Sequence, residues 1–304
     1  MAITPYTGPF TDTELRHLLR RTLFGCSNAD LDHFAGQTLQ QVVDALLTFS
    51  NDTTPPVKTY WLLNGNTPDP TLIDANVPFG NTWINTPRQT ADEPTVSGKR
   101  IESLVAWRTG LLAQQDRTLR EKLTLFWNNL VPTEASTVFN PEFMYAYDQL
   151  LRDHAAGNFR ELIHDVATSG AMLLYLNGYL NNYFAPDENF ARELMELFTL
   201  GEGTGYTEED VQTAARVLTG WTIQVEQGGQ PIIPQTIFVP FLHDSGDKTF
   251  SAFFNNTVIS GQTGPDAGET ELNALLDMIM AKEEASLHVC RKLYRFFVHG
   301  GISE

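Results

Sequence analysis

Apolar residues recur three and four positions apart over most of this 304-residue chain, the spacing that gives a helix one buried face. Leu15, Leu18, Leu19 and Leu23 follow Thr11 or Asp12 as a helix-starting residue and stop at Gly25, and Asn28 and Thr38 open two further short helices. The pattern fails between 51 and 96, where seven prolines and many Asn and Thr predict a long loop. From about Ser97 it returns. Leu119, Leu123, Phe126 and Leu130 form one stripe. Asn140-Pro141 places a capping residue before a first-turn proline, ahead of Phe143, Tyr147, Leu150 and Leu151. Asn158 and Glu161 are spaced as a capping box before Phe159, Leu162, Ile163 and Val166.

The clearest segment is 187–220. Pro186 and Asp187 open a helix with Phe190, Leu194, Leu197 and Phe198 inward and Gly201 at its end. Thr207, with Asp210 three residues on, starts a second helix carrying Val211, Ala214, Ala215 and Leu218 to Gly220. The two are expected to pack as a hairpin in the core. Between 221 and 264 the period shortens. Trp221 to Val225 and Thr236 to Leu242 suit strands around a Gly228-Gly229 turn, a small β-hairpin near 221–251 within an extended insertion. Two helices close the chain, near 268–282 with Leu272, Leu275, Leu276 and Ile279, and 284–298 with Leu287, Cys290, Tyr294, Phe297 and Val298 on one stripe. The expected fold is all-α, or mainly α: one helical domain over 1–304 with a small β-hairpin.

Charge narrows the function. With 37 acidic against 20 basic side chains the net charge is −17, a surface that repels nucleic-acid phosphates and anionic lipid. Two basic trios, Arg16, Arg20 and Arg21 and then Arg291, Lys292 and Arg295, read as solvated or salt-bridged faces. No run reaches the ~20 apolar residues of a membrane span. The N-terminal residues have no charged-then-apolar leader pattern, which leaves a cytoplasmic location or a removed leader as the expectations. Only Cys26 and Cys290 are present, too few for a four-cysteine zinc site, and Cys290 is expected as a free buried thiol on its helix stripe.

No nucleophile elbow, zinc-protease helix or phosphate-binding loop occurs. Gly201, Gly203 and Gly205 follow a helix and not a strand, so they read as capping and turning. An EF-hand register through Gly205 puts Leu200 and Val211 where oxygen ligands belong, and fails. Three weaker constellations remain. Asn189, Arg192, Glu193 and Glu196 share a helix face, where two carboxylates can work as acid and base or hold a metal, or simply form salt bridges. His243-Asp244, before Lys248, can place a carboxylate beside an imidazole, or can be a structural turn. Glu161 and His164 have the spacing of a carboxylate-bridged di-metal site but lack its second copy. No specific metal or cofactor follows from any of them.

Several stretches resemble one bacterial family, the domain of unknown function 1800 family. They are His17-Leu-Leu-Arg-Arg-Thr-Leu-Phe-Gly25, Arg120-Glu-Lys-Leu-Thr-Leu-Phe-Trp-Asn128 and Gly157-Asn-Phe-Arg-Glu-Leu162. The most specific is Glu188-Asn-Phe-Ala-Arg-Glu-Leu-Met-Glu-Leu-Phe-Thr-Leu-Gly201, continued by Tyr206-Thr-Glu-Glu-Asp-Val and by Arg216 to Trp221. His243-Asp244, Lys248-Thr249 and Lys292-Leu-Tyr-Arg-Phe-Phe-Val298 also fit. The resemblance implies a mostly helical fold and no established activity. It implies as well that members are often exported and encoded beside another secreted family, which points to an extracytoplasmic partner, and that they continue past the last of these segments, so that this chain resembles a truncated or short member. His164 departs from the family pattern.

Two readings follow. In the first, the chain is a binding or assembly protein that works with a partner or self-associates through helix 284–298. In the second it is a hydrolase, metal-dependent or not, using Glu193, Glu196, His243 and Asp244, with Asn189, Arg192, Arg216 and Lys248 as binding residues. An enzyme gathers the four around one cleft; a scaffold leaves them apart or closed in salt bridges.

Overall fold

A computed structural model describes residues 4–50, 54–90, 93–114 and 116–298. The first three residues, 51–53 and 91–92 of the expected loop, and everything after Val298 lie outside the described residues. The fold is mainly α, with thirteen α-helices among the described residues and three small two-stranded antiparallel sheets. No helix among them is long and apolar enough to cross a membrane.

Three short helices come first: α1 (Asp12–Thr22), α2 (Asn28–Phe34) and α3 (Leu39–Leu46). Each starts with a reciprocal capping box, Thr11 with Glu14, Ser27 with Asp30 and Thr38 with Gln41, which satisfies backbone N–H groups that a helix start leaves open. They bury Leu15, Leu19, Leu23, Phe34, Val42 and Leu46 against one another.

Residues 54–90 have little regular structure, only the pair β1 (Leu62–Asn64) and β2 (Thr67–Asp69) and a short 3-10 turn. The segment is nonetheless packed. Tyr60, Ile73, Val77 and Trp83 form a core with Val96 and Leu104. Backbone carbonyls that no ladder satisfies converge on one buried ammonium: Lys58 Nζ donates to the oxygens of Pro70, Ile73, Asp74 and Val77 at 2.6–3.0 Å. Arg100 then ties the segment to the helices, with a two-pronged bond to Asp74 (2.9 and 2.7 Å) and a third to Glu142 (2.6 Å).

The next helix, α4 (Pro94–Ala113), supplies Val96 and Leu104 to that core, and the main core gathers α5 (Arg120–Leu130), α6 (Ala135–Val138), α7 (Pro141–Asp153), α8 (Phe159–Thr168), α9 (Gly170–Tyr175), α10 (Asn189–Glu193), α11 (Glu208–Val217), α12 (Ala267–Met280) and α13 (Glu283–Phe297). Leu194 and Leu218 are both buried in it, and α10 packs on α11. The hairpin is β3 (Trp221–Gln227) with β4 (Gln230–Phe238), turned by Gly228 and Gly229 at positive φ. A smaller pair, β5 (Lys248–Thr249) and β6 (Val258–Ile259), follows it.

Two expectations need correcting. The helix opened at Asp187 is α only from Asn189 to Glu193, and Leu194–Thr199 continues it as a π-helix. The wider turn rotates the later residues, so Leu197, expected inward, is 45% exposed while Met195 is fully buried. On α13 the buried residues are Ala285 and Val289, with Leu293 and Phe296 partly covered. The Cys290 thiol, expected buried, is exposed, and Leu287 and Tyr294 of the same apolar stripe are exposed with it. The cause is a polar anchor: His288 Nε2 (2.9 Å) and Lys292 Nζ (3.2 Å) both donate to Leu197 O on the π turn, which sets the rotation of α13.

Candidate functional site

The carboxylate constellation sits where α10 passes into the π turn. Asn189 spends its side chain on the chain itself, its Nδ2 donating to Leu176 O at 3.2 Å. Arg192 bridges two helices, pairing with Glu188 one turn back and with Glu208 at the start of α11. Glu193 and Glu196 are both half-buried and neither forms an ion pair among the described residues. Burial, with the nearby charge of Glu196, raises the Glu193 carboxyl above its usual range against the opposing pull of Arg192. The Tyr206 hydroxyl nearby is pushed up to about 12 by burial and by Glu196.

His243 and Asp244 lie beyond the other end of α11. That helix is followed by Thr219 and Gly220, the latter at φ +92°, where a Cβ would come within 2.9 Å of the Phe238 ring and 3.1 Å of His243 Cβ. Glycine there lets the chain turn into β3 with His243 packed beneath it. His243 is buried, its Nδ1 2.9 Å from Thr219 O and its Nε2 3.1 Å from Glu271 Oε1. The other oxygen of Glu271 meets Lys248 Nζ at 2.5 Å, and Lys248 also donates to Asp244 O. Asp244 closes outward on Arg216, Oδ2 to Nε at 2.7 Å and Oδ1 to Nη2 at 3.2 Å. Burial opposes ionisation of Asp244, but the Arg216 bond, the Gly246 N–H and the charge of Lys248 outweigh it and hold the carboxyl below its usual range.

The sequence candidates therefore form two groups. One end of α11 carries Arg192 with Glu208, the other Arg216 with Asp244, about 12 Å apart by helix rise. No hydrogen bond or ion pair joins Glu193 or Glu196 to His243 or Asp244, and none of the four lines a cleft named below. The buried partner that sequence reading missed is Glu271. Its signal was present: Ala267, Glu271, Leu275 and Ile279 fall four apart on the apolar face of α12, and a carboxylate on that stripe needs a buried cation. Glu161 is exposed, and His164 pairs with Asp165 (3.0 Å) and Glu269 (2.8 Å). Among the described residues no group of three or more His, Cys, Asp or Glu is placed to hold a metal ion.

What stays open is an apolar groove of about 790 Å³ between α1 and the end of α13. Phe10, Leu18, Leu39, Leu119, Phe297 and Val298 supply its apolar lining, and Arg21 Nη2 crosses to Val298 O at 2.5 Å. A mainly helical protein with closed internal ion pairs and an open apolar groove is the class that this geometry defines. The chain matches the family described as Protein of unknown function (DUF1800) over residues 17–303, and it belongs to that family. No curated protein and no solved structure matches it.

Proposed function

We propose that the chain is a binding protein that works with a partner docked on the face made by α1 and α13. The apolar groove carries this reading. It adjoins the exposed side of α13, where Leu287 and Tyr294 are each 40% and Val298 49% exposed. Exposed apolar surface of this kind marks interaction sites. The same two helices carry both basic trios, Arg16, Arg20 and Arg21 with Arg291, Lys292 and Arg295, in a chain of net charge −17. A two-fold self-association through this face would set basic residues against basic residues, because such an interface repeats the same patch on both subunits. The charge favours an acidic amphipathic segment of another protein. The test is pull-down and sedimentation with the parent chain and a Leu287→Asp, Tyr294→Asp double variant. Loss of the captured partner in the variant is expected. A parent chain that forms a dimer instead, or capture unaltered by the substitutions, overturns the reading.

The raised Glu193 carboxyl beside Glu196 favours a second reading, a hydrolase with Glu193 as acid and Glu196 as base. That reading leaves out His243 and Asp244, which Glu271 and Arg216 hold at the other end of α11. Chromogenic esters, amides and glycosides test it: activity in the parent that Glu193→Gln abolishes supports it, and an inactive parent removes it.

A further inference from the structure

The two most exposed large apolar side chains among the described residues, Phe184 at 74% and Phe241 at 76%, sit on neighbouring loops. Residues 178–186 lie between α9 and α10, and 239–242 follow β4. Tyr183 N–H donates to Leu242 O at 2.9 Å, so one backbone bond ties the loops together and a phenylalanine flanks it on each. Leu180 and Tyr183 of the first loop are exposed too, and the Tyr183 and Phe184 ring centroids lie 3.7 Å apart. Neither loop carries a charged side chain, in a chain of net charge −17.

The tip they form is anchored from beneath. Asn181 is buried, its Nδ2 donating to Ala215 O at 2.9 Å, its Oδ1 accepting from Asp187 N–H at 2.9 Å and its carbonyl from Gly220 N–H at 3.1 Å. Asn182 closes the turn above it: its Oδ1 accepts from the N–H groups of Phe184 and Ala185, and its Nδ2 donates to Leu180 O. Leu180 and Asn181 N–H go to Asn177 O and Gly178 O. Leu180, Asn181, Tyr183, Phe184 and Ala185 thus all spend their N–H within the chain, and Pro186 and Pro240 have none to spend.

We infer that this tip docks on the interfacial region of an uncharged lipid bilayer. Hydrocarbon tolerates a loop only when its backbone polar groups are satisfied from within, which is the state of this one. A protein partner instead brings about one hydrogen bond per 100–200 Å² of interface, and this tip has few donors left to meet it. Phenylalanine and leucine side chains enter the acyl boundary, while a tyrosine ring with its hydroxyl lies at headgroup level. The absence of charge on both loops removes the penalty that a charged side chain carries into lipid. The net charge of −17 sets the lipid class, because anionic headgroups repel it and zwitterionic ones do not.

Flotation of the full chain with vesicles tests the inference. The probes are vesicles of pure phosphatidylcholine and vesicles with about one third phosphatidylserine, a strongly anionic surface. The chain should float with phosphatidylcholine and partition less into the anionic vesicles at low salt, with the gap narrowing as salt screens the repulsion. A Phe184→Asp, Phe241→Asp double variant should partition at least tenfold less and keep its melting temperature, since both side chains already face water. No flotation with phosphatidylcholine, or flotation unaltered in the double variant, overturns the inference. A preference for the anionic vesicles also overturns it and assigns binding to the basic trios of α1 and α13. Lipid-free sedimentation completes the test: self-association of the parent that the double variant abolishes gives the tip to a second copy of the chain and overturns the membrane reading.

Discussion

Glu271 shows how much depends on a single buried residue. Its two oxygens face His243 and Lys248, all three side chains closed to solvent, and Gln262 N–H donates to the same carboxylate at 2.7 Å. Removing one partner of such a set leaves the others buried and uncompensated. Glu271→Ala is expected to cost about 3–5 kcal/mol in denaturant unfolding, the range for breaking a buried ion pair. A loss below about 1 kcal/mol would show that the set does not hold the insertion to α12. Lys58 and Arg100 do comparable work in the 54–90 segment, where fixed cations replace the backbone ladders that proline prevents.

At the scale of elements, the π turn and α13 act as a unit. A π turn shifts the pairing of backbone groups, here Leu200 N–H to Met195 O, and Leu197 O is taken by His288 and Lys292 instead. Gly201 sits at φ +95° beside this contact, and a Cβ there would meet His288 Nδ1 at 3.0 Å. Burial lowers the His288 imidazole below its ordinary value of about 6.5, with Lys292 and Arg291 adding to the effect and the Leu197 bond opposing it. The unfolded chain then takes up a proton before the folded chain does. The contribution of neutral His288 to stability is full above that ordinary value and is lost as pH falls below it. The melting temperature of the parent should drop from pH 7.5 to pH 5.5 by more than that of His288→Gln, which keeps a donor without titrating. Equal drops would assign the pH dependence to other groups.

For the molecule as a whole, charge and apolar surface are distributed unequally. Most of the excess acid lies elsewhere, while α1 and α13 carry six of the 20 basic residues. An acidic partner on this face should be held partly by screened charge, so capture should weaken between 50 and 300 mM salt, about the range over which surface electrostatics fades. Apolar contact should preserve part of it. Capture that is insensitive to salt would show that the basic trios are solvated and take no part. The Leu287→Asp, Tyr294→Asp chain should keep its stability within about 0.5 kcal/mol, since both side chains already face water.

The sequence by itself determined what depends on neighbours along the chain. Capping residues such as Thr11, Thr38, Asn140 and Thr207, and the Gly228-Gly229 turn, act within four residues, and apolar spacing decides helix against strand. The hairpin, the helix starts and the family were legible on that basis. Only the tertiary structure decided which faces turn inward on α13 and the π turn, because a carbonyl from Leu197 and donors from residues 91 and 95 positions later set that rotation. It likewise decided that His243 meets Glu271, that Glu193 stands apart from Asp244, and that Tyr183 meets Leu242. These are contacts between segments far apart in sequence. They are selected by the burial of charge and apolar surface over the whole chain, a quantity that no local spacing carries.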